Sequence, residues 1–104
     1  MRNKFADVIY EIGQKDERIC ALVADISPAG SMVKFREDFP ERFINCGVAE
    51  QSMIGIAAGL SSEGHQVFTS TFAPFQTMRC CEQIKVNIGY MKHKVNMVGL
   101  ASGL

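Results

Sequence analysis

The sequence has 104 residues, 47% of them hydrophobic and 21% charged, with eleven basic side chains against eleven acidic ones. That is the length and composition of one small globular domain, residues 1–104. A formal charge of zero gives no electrostatic reason to expect nucleic acid or an anionic membrane as partner. The apolar runs are too short for a bilayer span and no signal peptide is visible, so the expectation is a soluble, cytoplasmic protein.

Residues 2–15 read as a helix, with Phe5, Val8, Ile9 and Ile12 forming one apolar stripe and Gly13 weakening the last turn. Ile19 to Ala24 is an unbroken apolar run of strand length, the pattern of a strand covered on both faces. Asp25 stands where that strand should end. Ser27-Pro28-Ala29-Gly30 reads as a loop. A short helix over 31–38 would turn Met32, Phe35 and Phe39 inward before Pro40 stops it.

A second strand runs from Phe43 to Cys46. After Gly47 a helix is expected from Ala49 to Glu63, with Met53, Ile56, Ala57 and Leu60 inward and Gly64 as a left-handed cap. Gln66 to Thr71 is a third strand. Residues 74–90 read as one long helix with Phe75, Met78, Cys81, Ile84 and Ile88 inward, and Val95 to Leu100 as a fourth strand. Helices alternating with strands imply an α/β fold, a mostly parallel sheet with helices on both faces. Ligands of such sheets bind beyond the carboxyl ends of the strands, which nominates Asp25, 45–50, 69–75 and 99–104.

Chemistry-bearing residues are few. The cysteines at 20, 46, 80 and 81 lack the spacing of zinc sites or disulfide frameworks, and Cys20 and Cys46 read as small hydrophobes. His65 and His93, in a polar turn and a Lys-rich turn, read as solvated surface residues and are assigned neither catalysis nor metal. Both common nucleotide fingerprints are missing. The pointed feature is Gly47-Val48-Ala49-Glu50-Gln51, a strand end, a glycine turn and a carboxylate in the first turn of a helix. Dipole stabilisation alone could place an acid there. Gly55 and Gly59, four apart, imply a close approach by some neighbour. Phe72 and Phe75, flanking Ala73-Pro74, could be core or a stacking wall for a flat heteroaromatic ring. Arg79 has a salt bridge as its plain explanation.

Taken in order, Ala24-Asp25, Phe39-Pro40-Glu41-Arg42-Phe43, Gly47 to Gln51, Ala57-Ala58-Gly59-Leu60, Thr69-Ser70-Thr71-Phe72-Ala73-Pro74-Phe75 and Arg79 resemble the pyrimidine-binding domain of the transketolase family. The Thr69–Phe75 segment and Gln83 to Tyr90 look most like transketolases made as two subunits, this chain matching the start of the C-terminal one. The resemblance implies the thiamine-diphosphate-binding fold, thiamine diphosphate as cofactor, and transfer of a two-carbon ketol unit between sugars. Glu50 would then hydrogen-bond N1′ of the aminopyrimidine ring. A carboxyl removed from water can share a proton with a ring nitrogen, favouring the imino tautomer that acts as base toward the thiazolium.

By the same resemblance Phe75 and Phe72 wall the ring, with Met78 one turn on where the family often has an aromatic. Asp25 lies near the thiamine portion, and Arg2 matches an arginine that helps hold the sugar phosphate. Ala29 and Ala101 stand where many transketolases have a phosphate-contacting serine and histidine, which argues against a standard pentose-phosphate donor and leaves an unusual sugar open. The family's diphosphate and Mg²⁺ ligands (Gly-Asp-Gly and a later asparagine) belong to another domain. The implied partner is therefore a diphosphate-binding subunit or domain, in a dimer of such pairs, and the chain reads as the N-terminal part of the family domain, not active alone. Two alternatives stay open: a β-subunit-like part of a 2-oxo acid dehydrogenase or deoxyxylulose-phosphate-synthase-like enzyme, or a non-catalytic α/β binding module.

Overall fold

The computed structural model describes residues 2–24 and 32–100, with side chains from Lys4 onward. The first helix, α1 (Arg2–Lys15), leads into β1 (Ile19–Val23), whose five side chains are all buried. A short α2 (Val33–Asp38) and a 3₁₀ turn (Pro40–Arg42) precede β2 (Phe43–Asn45). Helix α3 (Glu50–Ser62) is followed by β3 (Gln66–Phe72). Then come α4 (Ala73–Thr77), α5 (Cys81–Gln83), a π-helical stretch (Ile84–Tyr90) and β4 (Asn96–Leu100). The four strands form one parallel sheet in the order β2-β1-β3-β4, as the alternation of elements implied.

Because strand side chains alternate, β1 divides its residues between two cores. Cys20 and Leu22 join Val67 of β3 against Met53, Ile54 and Ala57 of α3, with Cys80 from the turn before α5. Ile19, Ala21 and Val23 face the opposite way, onto Ala6 and Ile9 of α1 and Met32 and Phe35 at α2. A side chain at Gly13 would put its Cβ 2.8 Å from a Phe35 ring carbon, so α1 and α2 approach this closely because Gly13 has none. Gly64 ends α3 with φ +93°, the left-handed cap expected there.

Two helix registers differ from the sequence reading. In α3 the buried stripe is Glu50, Met53, Ile54, Ala57 and Ala58, while Ile56 is exposed. The stripe begins at a carboxylate, so an apolar count alone starts it on the wrong residue. Val8 of α1 is likewise exposed, and Ala6, Ile9 and Gly13 carry that face.

The segment 74–90 is not one helix. It breaks at Met78–Cys80, where Cys80 adopts φ −107° and ψ 16°. Gln76 and Cys80 are buried in place of Met78 and Cys81. The cause is polar: buried Thr69 of β3 donates its hydroxyl to the Gln76 side-chain oxygen, which turns α4 to bring the amide inward. The wider π-helical turn then keeps Ile84 and Ile88 packed on the core.

His65 and His93 are half-buried rather than solvated. Nδ1 of His65 lies 3.6 Å from Cys20 Sγ, and Nδ1 of His93 lies 2.7 Å from the Asn87 carbonyl.

Candidate functional site at the carboxyl edge of the sheet

The link from β2 to α3 is built for a sharp reversal. Gly47 takes φ +73°, a conformation glycine adopts without a Cβ penalty, and its N–H donates to Asn45 Oδ1 at 2.9 Å. Helix α3 then starts at Ala49, which has no capping side chain, and Glu50 is its first residue. The helix dipole favours a carboxylate here. Dipole alone would leave it in solvent, yet Glu50 is only 6% exposed. Its place in the buried stripe of α3 carries the carboxyl toward the sheet.

Arg79 meets it there. Nη1 of Arg79 lies 3.2 Å from Glu50 Oε1, and the same guanidinium lies 3.9 Å from the centroid of the Phe75 ring. The arginine is itself anchored through its main chain, since Gln51 Nε2 donates to the Arg79 carbonyl at 2.8 Å. The first turn of α3 and the break after α4 are thus joined twice. Phe72 and Phe75 meet edge to face, centroids 5.7 Å apart.

Beneath Phe75 the Cys80 Sγ donates to the Phe75 carbonyl at 3.4 Å. Burial pushes this thiol up, the Glu50 charge adds to that, and Arg79 works against it. Burial likewise raises Cys20 and Cys46, which fits their reading as inert small hydrophobes.

A cleft of about 380 Å³ opens beside Glu50, lined by 48–52 and Arg79. A larger depression of about 710 Å³ lies at the amino ends of the strands, between Gly13, Pro40, Arg42 and His65, and holds none of the predicted site residues. The smaller one is where the chemistry gathers.

Of the sequence-predicted site residues, Glu50 and Phe75 are joined through Arg79, and Phe72 adjoins Phe75 while being partly exposed. Met78 is 78% exposed in the turn after α4 and is not among the residues lining the cleft. Asp25, Ala29, Ala101 and the side chain of Arg2 lie outside the described residues. The sequence reading gave Arg79 a salt bridge without a partner and gave Gln51 no role. Gln51 follows Glu50 directly in the motif, which was the available signal.

Glu50 is thus a buried acid beside an opening, and Phe75, with Phe72 at its edge, stands behind Arg79 and outside the lining of that cleft. Ser70 Oγ and Thr71 Oγ1, at the carboxyl end of β3, are buried without a hydrogen-bond partner among the described residues. No group of His, Cys, Asp and Glu among the described residues is placed to hold a metal ion, and no described helix is long and apolar enough to cross a membrane.

The parallel sheet and its helices define an α/β domain, a class whose ligands bind beyond the carboxyl ends of the strands. The family model described as "Transketolase, pyrimidine binding domain" matches residues 1–104, and the chain belongs to that family.

Among curated relatives, the chain is 41% identical over its full length to a 6-deoxy-6-sulfo-D-fructose transketolase subunit of Clostridium sp. (strain MSTE9), covering 32% of that protein. It is also 41% identical over its full length to a putative transketolase C-terminal section of Methanocaldococcus jannaschii, covering 33% of it. With an apulose-4-phosphate transketolase subunit of Phocaeicola vulgatus it shares 34% identity, over 99% of this chain and 33% of that one. The chain therefore spans about a third of the length of these relatives. A solved structure described as a split-gene transketolase, an inactive β4 tetramer, superposes with a TM-score of 0.83 at 41% identity, over 91% of this chain and 32% of that one.

Proposed function

We propose that this chain is the aminopyrimidine-binding part of a thiamine-diphosphate-dependent ketol-transferase, completed by a diphosphate-binding subunit or domain. The observation that carries the reading is the Glu50 carboxyl, buried at the head of α3 yet lining a cleft at the carboxyl edge of the sheet. Glu50 holds and shares a proton at N1′ of the ring. Phe75 and Phe72 bound the ring's flat face, with Met78 at the rim, Asp25 toward the thiamine portion and Arg2 toward the sugar's phosphate end. Thiamine diphosphate, when bound, supplies the carbanion chemistry, and the chain's residues orient and tune it. The divalent ion, Mg²⁺ or similar, is held by the partner.

The break after α4 serves this role. It turns Arg79 back over Phe75 and Glu50, and it leaves Met78 exposed beside Arg79. The similarity to a β4 tetramer described as inactive supports a chain that needs its partner for turnover. Two relatives are named for 6-deoxy-6-sulfo-D-fructose and apulose-4-phosphate. Together with Ala29 and Ala101, this favours a ketose donor or product outside the standard pentose phosphates. The protein works in the cytoplasm, in a dimer of subunit pairs.

The test is calorimetry of thiamine diphosphate binding to the assembled complex, with ketol transfer measured alongside, for wild type and Glu50→Ala. The variant should lose turnover about 10²–10⁴-fold, the range of a positioned acid–base group, and bind the cofactor more weakly. Equal binding and equal turnover would favour the non-catalytic module instead.

A further inference from the structure

The Glu50–Arg79–Phe75 arrangement does more than pair two charges, and we infer that Arg79 is a positioning residue that fixes the Glu50 carboxyl for the ring nitrogen. This rests on the reading of Glu50 given above. Glu50 has three rotatable side-chain bonds and sits at the first residue of a helix without a side-chain cap, where fraying is easiest. Something must hold its carboxyl if it is to meet a ring nitrogen at hydrogen-bond distance.

Arg79 is itself held on three sides. Its carbonyl accepts from Gln51, its guanidinium lies 3.9 Å from the Phe75 ring centroid, and Nη1 reaches Glu50 Oε1 at 3.2 Å. A planar guanidinium is suited to this because it can stack on an aromatic face and direct its N–H groups in plane at a carboxylate. The contact is to Oε1, and an ionised carboxylate accepts about four hydrogen bonds, so capacity for a ring N–H remains. Arg79 thereby sets the carboxyl's orientation relative to Phe75, the same ring that the proposed function assigns to stacking. A bare surface ion pair would not be tied to the aromatic wall in this way, and Glu50 is far from bare at 6% exposure.

A double-mutant cycle on cofactor affinity tests it. The cofactor-depleted complex of the protein with its diphosphate-binding partner is titrated with thiamine diphosphate by calorimetry, as wild type, Glu50→Gln, Arg79→Met and the double variant. Arg79→Met should weaken affinity about tenfold when Glu50 is present and less than about twofold in the Glu50→Gln background, because residues acting through one another are non-additive. Arg79→Lys keeps the charge but loses the planar fork, and should recover only part of the loss.

Equal weakening in both backgrounds, no effect of Arg79→Met, or tighter binding would each overturn the positioning role. The underlying reading fails separately: if Glu50→Gln itself leaves affinity and turnover unchanged, Glu50 is not the ring's partner. Weakening by Glu50→Gln with additive Arg79 variants would sink the Arg79 role alone.

Discussion

Two arginines in this domain make nearly the same aromatic contact at opposite ends of the sheet. Arg42 lies 3.9 Å from the centroid of Phe39, and Arg79 lies 3.9 Å from that of Phe75. What their donors reach differs. Arg42 gives its N–H groups to main-chain carbonyls, those of Asp16 at 2.9 Å and Gly13 at 3.0 Å, with Ile19 at 3.5 Å. It closes the end of α1 and fixes the chain's entry into β1, where orphaned helix carbonyls need donors. Arg79 gives its donor to an ionisable side chain beside a cleft. Both arginines border an opening, but one end of the sheet is locked by its own backbone, whereas the other holds its charge on a side chain. A stacked arginine therefore says little about role until its hydrogen-bond partners are known.

The comparison can be broken most easily at the locked end. Phe35 is fully buried, meets Phe39 edge to face at 5.1 Å, and lies under Arg42 and against Gly13. Phe35→Ala should destabilise the fold by about 3–5 kcal/mol, the range for deleting a core phenyl ring, read as a lower urea midpoint at unchanged slope. Arg42→Met should cost about 2–3 kcal/mol, because it strips charged donors from partly buried carbonyls. Arg79→Met should cost about 1 kcal/mol, since the Glu50 it abandons borders a cleft that water can enter. If Arg79→Met proved the more damaging of the two arginine variants, the division into a locked end and a working end would be wrong.

The two ends also differed in how well they could be read from sequence. Ile19 to Val23 announced itself as a doubly covered strand, because no polar residue interrupts the run. The Gly47–Gln51 turn was visible because a positive-φ glycine and a first-turn acid are local features. Local signals could not show that Glu50 heads the buried stripe of α3, because a burial pattern that begins with a carboxylate is invisible to an apolar count.

The break after α4 was hidden for a similar reason. It depends on a buried hydrogen bond from Thr69 to Gln76, seven residues apart, and on a π-helical stretch that a 3.6-residue period does not describe. Arg79 reads as half of a salt bridge, but its partner lies 29 positions away, with the rest of α3, β3 and α4 between them. Asp25 and Arg2, expected at the site through the family resemblance, have side chains outside the described residues.

The smallest effect is expected on α3 away from both arginines, where it supplies a baseline for the other variants. Gly55 and Gly59 were expected to admit a close neighbour. Among the described residues a Cβ on Gly59 would meet nothing within 4 Å, and one on Gly55 only the Asn87 amide at 3.9 Å. Gly59 is exposed in the last turns of a regular helix. Gly59→Ala should therefore raise the stability of this chain by up to about 1 kcal/mol, the difference in helix propensity between the two residues, seen as a small rise in melting temperature. The informative measurement repeats this in the assembled complex. If the stabilisation persists there, the Gly59 side of α3 stays open in the assembly. If the variant instead weakens assembly while still stabilising the chain alone, the close approach that the glycines implied is made by the partner. Destabilisation of the chain alone would contradict the open surface around Gly59.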